Sequence, residues 1–444
     1  MDYLNRLQKV SVLGAAGKMG SGILLLTALE MAEQMMKPGN ESVSFVLNAI
    51  DTSEDGLKGL LKYIRSQVLK AAEKKVVQIR GYYSGKPDLI ENSEVIDAFV
   101  LEVMSLVKTS TRIESAYDSH LIFEAVSENQ ALKEKIFRQI NENNSNQPWF
   151  FTNTSSVPIG ELNKNAGLQG CLLGFHFYNP PAIQKLVELI TIAENPGEMK
   201  EFAMTYAKNL RKIIVPSNDI AGFIGNGHFM RDALYGIREA EKLAKQMPLH
   251  EAIYVIDRIS RDFLMRPMGI FQLIDYVGLD VVQFILRVMQ PHMKGEQLHS
   301  ELLDELVMKG IKGGQFSDGS QKDGFFRYMK GKPAEVLLKD TLQYSDLKEF
   351  SAERDQWIGQ LPPEILPWKN LVKINDKSEV LTACFKALRS TNTPGAELAL
   401  SYAKMSRQIA LNLVSTGVAL NEADVNTVLL TGFFHAYGPI NDFI

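Results

Sequence analysis

The run GFHFYNPPAIQKLVELI, residues 174–190, ends one apolar, β-branched segment at His176 and sets Glu188 inside another. Burying an ionisable group costs free energy unless a partner compensates it. A histidine and a carboxylate in neighbouring strands make such a pair, and the pair can do chemistry. Imidazole titrates near neutrality, so it can take the proton of a hydroxyl while a carboxylate fixes its tautomer and stabilises the imidazolium. The competing reading is two unrelated core residues, each satisfied locally. It weakens as other polar residues converge on the same place.

KVSVLGAAGKMGSGI sets Gly14, Gly17 and Gly20 directly after an apolar strand and at the start of a helical run. Glycines in that context permit a tight turn and let a pyrophosphate approach the amides of a helix N-terminus. The spacing is G-x-x-G-x-x-G, one residue longer than the usual fingerprint, and close packing of strand on helix would also favour small residues there. Lys18 and Met19 lie within the turn, Lys18 within reach of a phosphate. The acid expected at the end of the second strand is Asp51, in VSFVLNAID. It follows Gly20 by 31 residues, and the lengthened segment EMAEQMMKPGNES accounts for the excess. A carboxylate at that place accepts hydrogen bonds from ribose hydroxyls and repels a 2'-phosphate, so the expected cofactor is NAD rather than NADP.

The elements that must carry these residues are short strands alternating with helical patterns. Candidate strands are KVSVLG (9–14), VSFVLNAID (43–51), HLIFEAV (120–126), PWFFT (148–152), GCLLGFHF (170–177) and KLVELI (185–190). Such alternation predicts a mostly parallel sheet with helices on both faces, in which ligands bind at the carboxyl ends of the strands. HLIFEAV is followed by Glu128, Asn129 and Lys133, PWFFT by Asn153, Thr154, Ser155 and Ser156, and GCLLGFHF by Asn179 just beyond His176. All of them point to one crevice.

Beyond Pro216 the strand signal fades and helical periodicity takes over, with Met230, Leu234 and Ile237 on one face. The fold class read from this is α/β: a Rossmann-like dinucleotide-binding domain over 1–216, then an all-α C-terminal region. That region divides at the Gly-rich stretch 310–326 into a helical domain, 217–330, and an additional helical region, 331–444. LHEA (249–252) with PMG (267–269) is echoed by LNEA (420–423) with YGP (437–439), two short matches that a duplicated helical domain or chance would both produce.

Composition bounds the class. The 444 residues exceed one ordinary core, and 45% hydrophobic with 23% charged residues describes a globular protein. A net charge of -4 argues against a general nucleic-acid binder. Cys171 and Cys384, both among apolar residues, suit buried thiols in a reducing compartment, and no metal site is expected. The N-terminus reaches its first strand within ten residues, and the most apolar runs are about half the length that spans a bilayer, so a cytoplasmic protein without membrane association is expected.

Taken together, GFHFYNPPAIQKLVELI, TNTSSVPI, IFEAVSENQALKEKIF, AGFIGN and RPMGIFQLIDYVGLD resemble motifs of the 3-hydroxyacyl-CoA dehydrogenases of fatty-acid β-oxidation, over roughly residues 8–330. The resemblance implies that His176 is the catalytic base, with Glu188 orienting it, and that Ser155 and Asn226 hydrogen-bond the reacting oxygen or the thioester carbonyl. It places Glu128 and Lys133 at the nicotinamide half of the cofactor site. Asn153 is assigned to the cofactor side and Asn179 to the substrate side. Lys74, on the lysine-rich helix after Asp51, is assigned to the coenzyme A moiety.

The implied activity is NAD-dependent oxidation of an L-3-hydroxyacyl-CoA to the 3-ketoacyl-CoA. Two alternatives stand beside it: a dehydrogenase of a short free hydroxy acid, encouraged by the G-x-x-G-x-M-G turn, and a nucleotide-binding protein without turnover. The chain departs from the family pattern in the extra residue of the glycine turn, in the longer and more irregular region 76–119, and in about a hundred residues beyond one helical unit. A second helical copy would replace part of a dimer interface, which leaves homodimer and monomer both open. His435, in that region, is expected to pack or face solvent rather than catalyse.

Overall fold

β-Branched and aromatic runs pair into one eight-stranded sheet in the computed structural model of the chain, which describes residues 3–40, 42–316 and 319–444. Glu41, in the lengthened loop, and residues 317–318, in the Gly-rich stretch, lie outside the described residues. The chain divides into two compact units, Met1–Asp219 and Ile220–Ile444.

The strands of the first unit are β1 (Lys9–Leu13), β2 (Val46–Ile50), β3 (Val107–Ser110), β4 (Leu121–Glu124), β5 (Trp149–Thr152), β6 (Leu172–Phe177), β7 (Leu186–Ile190) and β8 (Ile213–Ser217). Their order is β3-β2-β1-β4-β5-β6-β7-β8, so the direction of winding reverses at β1/β4. All neighbours are parallel except β6 and β7. Eight residues join those two, fewer than the dozen or so that a parallel crossover needs. Every residue of β4, β5, β6 and β7 is buried, as a sheet covered on both faces requires.

Covering helices are α1 (Tyr3–Leu7), α2 (Lys18–Met35), α3 (Glu54–Lys74), α4 (Val76–Tyr82), α5 (Asn92–Leu106), α6 (Gln130–Asn143), α7 (Ile159–Ala166) and α8 (Gly197–Asn209). In α3 the buried residues Leu57, Leu60, Ile64, Val68 and Ala72 recur at helical spacing, and its lysines take the opposite face. The region 76–119, read from sequence as irregular, is largely regular. A capping box of Glu91 and Glu94 starts α5, and the hydroxyls of Tyr82 and Tyr83 both donate to Glu102, tying α4 to α5. It then supplies the edge strand β3. The opposite edge, β8, contains Pro216, which an edge strand tolerates because no neighbour needs its missing N–H.

The second unit is helical around one continuous core. It includes α9 (Gly225–Leu243), α10 (Leu249–Arg258), α11 (Ile270–Val277) and later helices at Ser378–Ser390 and Pro394–Ser415. The core joins Met230, Leu234 and Ile237 of α9 to Phe385 and Tyr402 of those later helices. The reading of this region as all-helical needs one correction: three antiparallel strands, β9 (Phe326–Met329), β10 (Lys332–Leu337) and β11 (Tyr344–Asp346), follow the Gly-rich stretch. Lys330 and Gly331, both at positive φ, form the two-residue turn between β9 and β10. The Asp275 carboxylate of α11 accepts the Phe325 and Phe326 amides and the Tyr328 hydroxyl, which pins this small sheet to the helices.

Two places in the unit pack alike. Gly269 lies against the Asp257 side chain and Gly438 against that of Asn426, close enough that a Cβ on either glycine would collide. Asp257 accepts the Gln272 amide and Asn426 the Ile440 amide, each at 3.0 Å. Among the described residues no helix is long and apolar enough to cross a membrane.

Candidate active site

Antiparallel register makes His176 of β6 and Glu188 of β7 direct cross-strand partners, so their side chains share one face of the sheet. The imidazole Nδ1 lies 3.5 Å from Glu188 Oε1, with the carboxylate fully buried and the imidazole 11% exposed. Tyr178 completes the group. Its hydroxyl donates to the same Oε1 at 2.5 Å, and its ring centroid lies 4.9 Å from that of the imidazole. Burial, and then the neighbouring Glu188 carboxylate, push the Tyr178 hydroxyl well above its ordinary pKa. Sequence reasoning passed over Tyr178, although it follows His176 by two residues and so falls on the same side of an extended chain.

Asn153, assigned from sequence to the cofactor side, has a structural role within the sheet. Its side-chain oxygen accepts the Phe177 amide at 2.8 Å and its own amide donates to the Glu124 carbonyl at 2.8 Å. The residue thus clamps the end of β6, beside His176, to the ends of β4 and β5.

Next along the strand ends is a buried ionic network. Lys133, one turn into α6 and 1% exposed, reaches Glu124 Oε1 at 2.6 Å and Glu128 Oε2 at 3.0 Å. Burial alone would lower the lysine, but the two carboxylates outweigh it and raise its pKa. Burial alone would likewise raise Glu128, yet Lys133, the Thr154 hydroxyl and the Ser155 amide hold its carboxyl below the ordinary range. Glu124, missed in the sequence, also accepts the Val126 amide at 2.8 Å and the Thr152 hydroxyl. Its signal was the same as that of Glu188, an acid inside an apolar strand. The Glu128 carboxylate keeps a partly exposed edge, whereas Lys133 is enclosed by its two partners. The amide of Ser155 and the hydroxyl of Ser156 donate to Glu128 at 3.1 Å, which shapes the loop after β5.

The glycine turn lies at the winding reversal. Gly14, at φ 72°, and Ala15 donate their amides to the Ile50 carbonyl, bracing the turn against the end of β2. A Cβ on Gly14 would meet the Ala125 carbonyl, and one on Gly20 would overlap the Gly14 carbonyl. Gly17 caps α2 with no side chain over the helix end, and the first-turn amides of a helix lack intrahelical acceptors. Asp51 Oδ2 accepts the Ala16 amide at 3.0 Å and Oδ1 the Ser53 amide at 3.1 Å, which fixes the carboxylate beside the turn with lone pairs to spare. A glycine turn at a helix N-terminus for a pyrophosphate and an oriented acid for a ribose form a set that fits NAD.

The remaining predicted residues fall in three places. Lys18 is exposed at the start of α2 and Met19 is partly buried behind it. Asn179 is half-buried just past the end of β6. Lys74 is the exposed last residue of α3, about 30 Å of helix from the Asp51 end. Asn226 belongs to the second unit, where it sits half-buried in the first turn of α9. His435 is also in the second unit, beside Arg266 and Tyr437, and burial drives its pKa well below the ordinary value.

A doubly wound sheet with this turn, this acid and a histidine–carboxylate pair at its strand ends defines an NAD-dependent dehydrogenase. A family model described as "3-hydroxyacyl-CoA dehydrogenase, NAD binding domain" matches residues 9–220, and "3-hydroxyacyl-CoA dehydrogenase, C-terminal domain" matches 237–323. The human "Hydroxyacyl-coenzyme A dehydrogenase, mitochondrial" is 28% identical over 70% of this chain and 90% of its own length. A "Probable 3-hydroxybutyryl-CoA dehydrogenase" of Bacillus subtilis is 28% identical over 72% and 97%. The crystal structure of 3-hydroxybutyryl-CoA dehydrogenase from Escherichia coli K12 shares the fold, with a TM-score of 0.63 at 20% identity over 98% of this chain and 90% of that one. The chain belongs to the 3-hydroxyacyl-CoA dehydrogenase family.

Proposed function

We propose that this protein oxidises the 3-hydroxyl of an L-3-hydroxyacyl-CoA to the 3-ketoacyl-CoA, in fatty-acid β-oxidation or related acyl-CoA metabolism. The observation that carries the reading is the cross-strand pairing of His176 with Glu188. His176 takes the hydroxyl proton through the ring nitrogen not turned to Glu188, and the carboxylate stabilises the imidazolium so formed. Bound NAD supplies the acceptor for the hydride that leaves the same carbon. Ser155 and Asn226 hydrogen-bond the reacting oxygen or the thioester carbonyl, and Glu128, held by Lys133, presents a carboxylate edge to the nicotinamide side.

Asn179 contributes to the substrate side, and Lys74 meets the coenzyme A moiety. The distance of Lys74 from the glycine turn suits a contact to a long substrate rather than to the cofactor. We read residues 331–444 as a second copy of the helical domain 217–330, on the strength of the matched packing of Gly269 on Asp257 and Gly438 on Asn426. Two free cysteines suit a reducing compartment such as the cytosol.

The test is NADH consumption with acetoacetyl-CoA, run beside free acetoacetate and repeated with NADPH. Turnover with NADH and the thioester alone is the expected result. Equal rates on free acetoacetate would overturn the acyl-CoA reading in favour of a hydroxy-acid dehydrogenase. NADH binding without turnover on short or long thioesters would leave a nucleotide-binding protein.

A further inference from the structure

The Tyr178 hydroxyl and the His176 imidazole both approach Glu188 Oε1. The Tyr178 hydroxyl donates to it at 2.5 Å, while the imidazole Nδ1 stands at 3.5 Å, beyond the usual N–H···O length. In the resting arrangement the stronger bond of that oxygen is therefore the tyrosine's. A buried carboxylate that one phenol holds has a fixed orientation and presents less negative charge to its other neighbour.

We propose that Tyr178 is a positioning residue of the reaction: its hydroxyl fixes the Glu188 carboxylate toward His176 and, by sharing Oε1, tempers how strongly that carboxylate holds the imidazolium. The inference rests on the proposed role of the His176–Glu188 pair. Without the hydroxyl, Glu188 is held less firmly and turns more of its charge to His176. The base then keeps a proton more tightly, and the catalytic geometry is held less well.

Several charged groups of the first unit near the pair are engaged with other partners, while Lys185, just before β7, is exposed. Glu124, Lys133 and Glu128 satisfy one another beyond β5. Asp219, after β8 and so toward the other end of β6, accepts the Ile159 and Gly160 amides at 2.5 and 2.7 Å. Lys212, 5.8 Å from the Phe177 ring centre, donates to the Pro181 and Gln184 carbonyls. On β8, the neighbour of Glu188 in register is the apolar Val215. Changing Tyr178 leaves all of these in place, so a change in pH response reports on the Tyr178–Glu188 bond.

Tyr178→Phe keeps the ring and removes the hydroxyl. Expected are a kcat lower by about tenfold, the loss of one hydrogen bond to a charged group, with KM for the thioester and NADH affinity unchanged. The acid side of the kcat/KM profile should shift to higher pH. Incorporating 3-fluorotyrosine at position 178, a stronger donor, should shift it to lower pH, and this second measurement decides the matter even if the phenylalanine variant folds poorly. An unchanged profile in both proteins, or a rise in KM without a fall in kcat, would overturn the proposal. His176→Ala in parallel keeps the two readings apart: full turnover there defeats the catalytic pair, whereas a dead His176→Ala beside a wild-type Tyr178→Phe defeats only the role of Tyr178.

Discussion

His176 and Glu188 face each other across one rung of the β6–β7 ladder, with Nδ1 3.5 Å from Oε1. Side chains alternate faces along a strand, so a slip of one residue would send the two to opposite sides of the sheet. Register is held by the apolar residues on both strands, all of them buried, and by Asn153 on the Phe177 amide. The pair is thus a consequence of how the core packs, and it is available without any movement of backbone.

Replacing His176 with Ala should lower kcat by about a thousandfold, the scale of a lost general base. NADH affinity, measured by fluorescence titration, should stay within about twofold because the glycine turn and Asp51 are untouched. Glu188→Gln keeps an acceptor for Tyr178 but removes the charge, so a smaller loss of about a hundredfold is expected. Near wild-type kcat in the alanine variant would end the mechanism.

Lys133 should matter more for stability than its distance from the imidazole implies. Lys133→Met leaves the buried Glu124 beside the half-buried Glu128 without a cation, and breaking the buried Lys133–Glu124 pair in this way costs about 3–5 kcal/mol. Urea unfolding of the variant should show a clearly lower midpoint. Adding Glu128→Gln to it should recover part of the loss, and a double variant no better than the single one would show that repulsion between the carboxylates is not the cause.

Asp51 sets cofactor choice if its carboxylate meets the ribose. Asp51→Asn removes the charge that disfavours a 2'-phosphate while retaining an acceptor for the Ala16 amide. The ratio of kcat/KM for NADH over NADPH should fall by about tenfold or more, equivalent to a little over 1 kcal/mol. An unchanged ratio would move the selectivity to another residue.

Much of this site could be read from the chain because it depends on local rules. Gly14, Gly17, Gly20 and Asp51 follow from a turn between strand and helix, and His176 and Glu188 stand out as polar interruptions of buried strands. Residues that depend on three-dimensional closure were harder to see. Tyr178 is an ordinary aromatic after a strand until the rung that carries Glu188 turns a carboxylate toward it. Lys133 was legible as a crevice residue from its place after β4, but its burial was not: the Asn129 cap starts α6 so that its first turn points the side chain between two acids. The same holds for the fold. Strands β3 and β8 are short edge strands, the first with one buried residue and the second with two, too weak a pattern to read alone. The β9–β11 sheet depends on Asp275 reaching across some fifty residues of sequence.

The second unit should be acid-labile for a reason that lies in its own core. His228 is 1% exposed, with Nε2 3.2 Å from the Ser406 carbonyl and 3.1 Å from its hydroxyl. Burial, opposed by Asp232 and aided by Arg266, lowers its pKa to about 4, against about 6.5 in an unfolded chain. Between those two values the unfolded chain carries the proton and the folded one does not, so stability falls as pH falls from 6.5 to 4 and this contribution changes no further below that. Over the whole window the shift corresponds to about 3 kcal/mol. His228→Gln cannot titrate there, and the drop in urea midpoint between pH 7 and pH 4.5 should be smaller in that variant. It should not vanish, because burial also depresses His435, which the substitution leaves in place. Equal drops in the two proteins would exclude His228 as a source of the acid sensitivity.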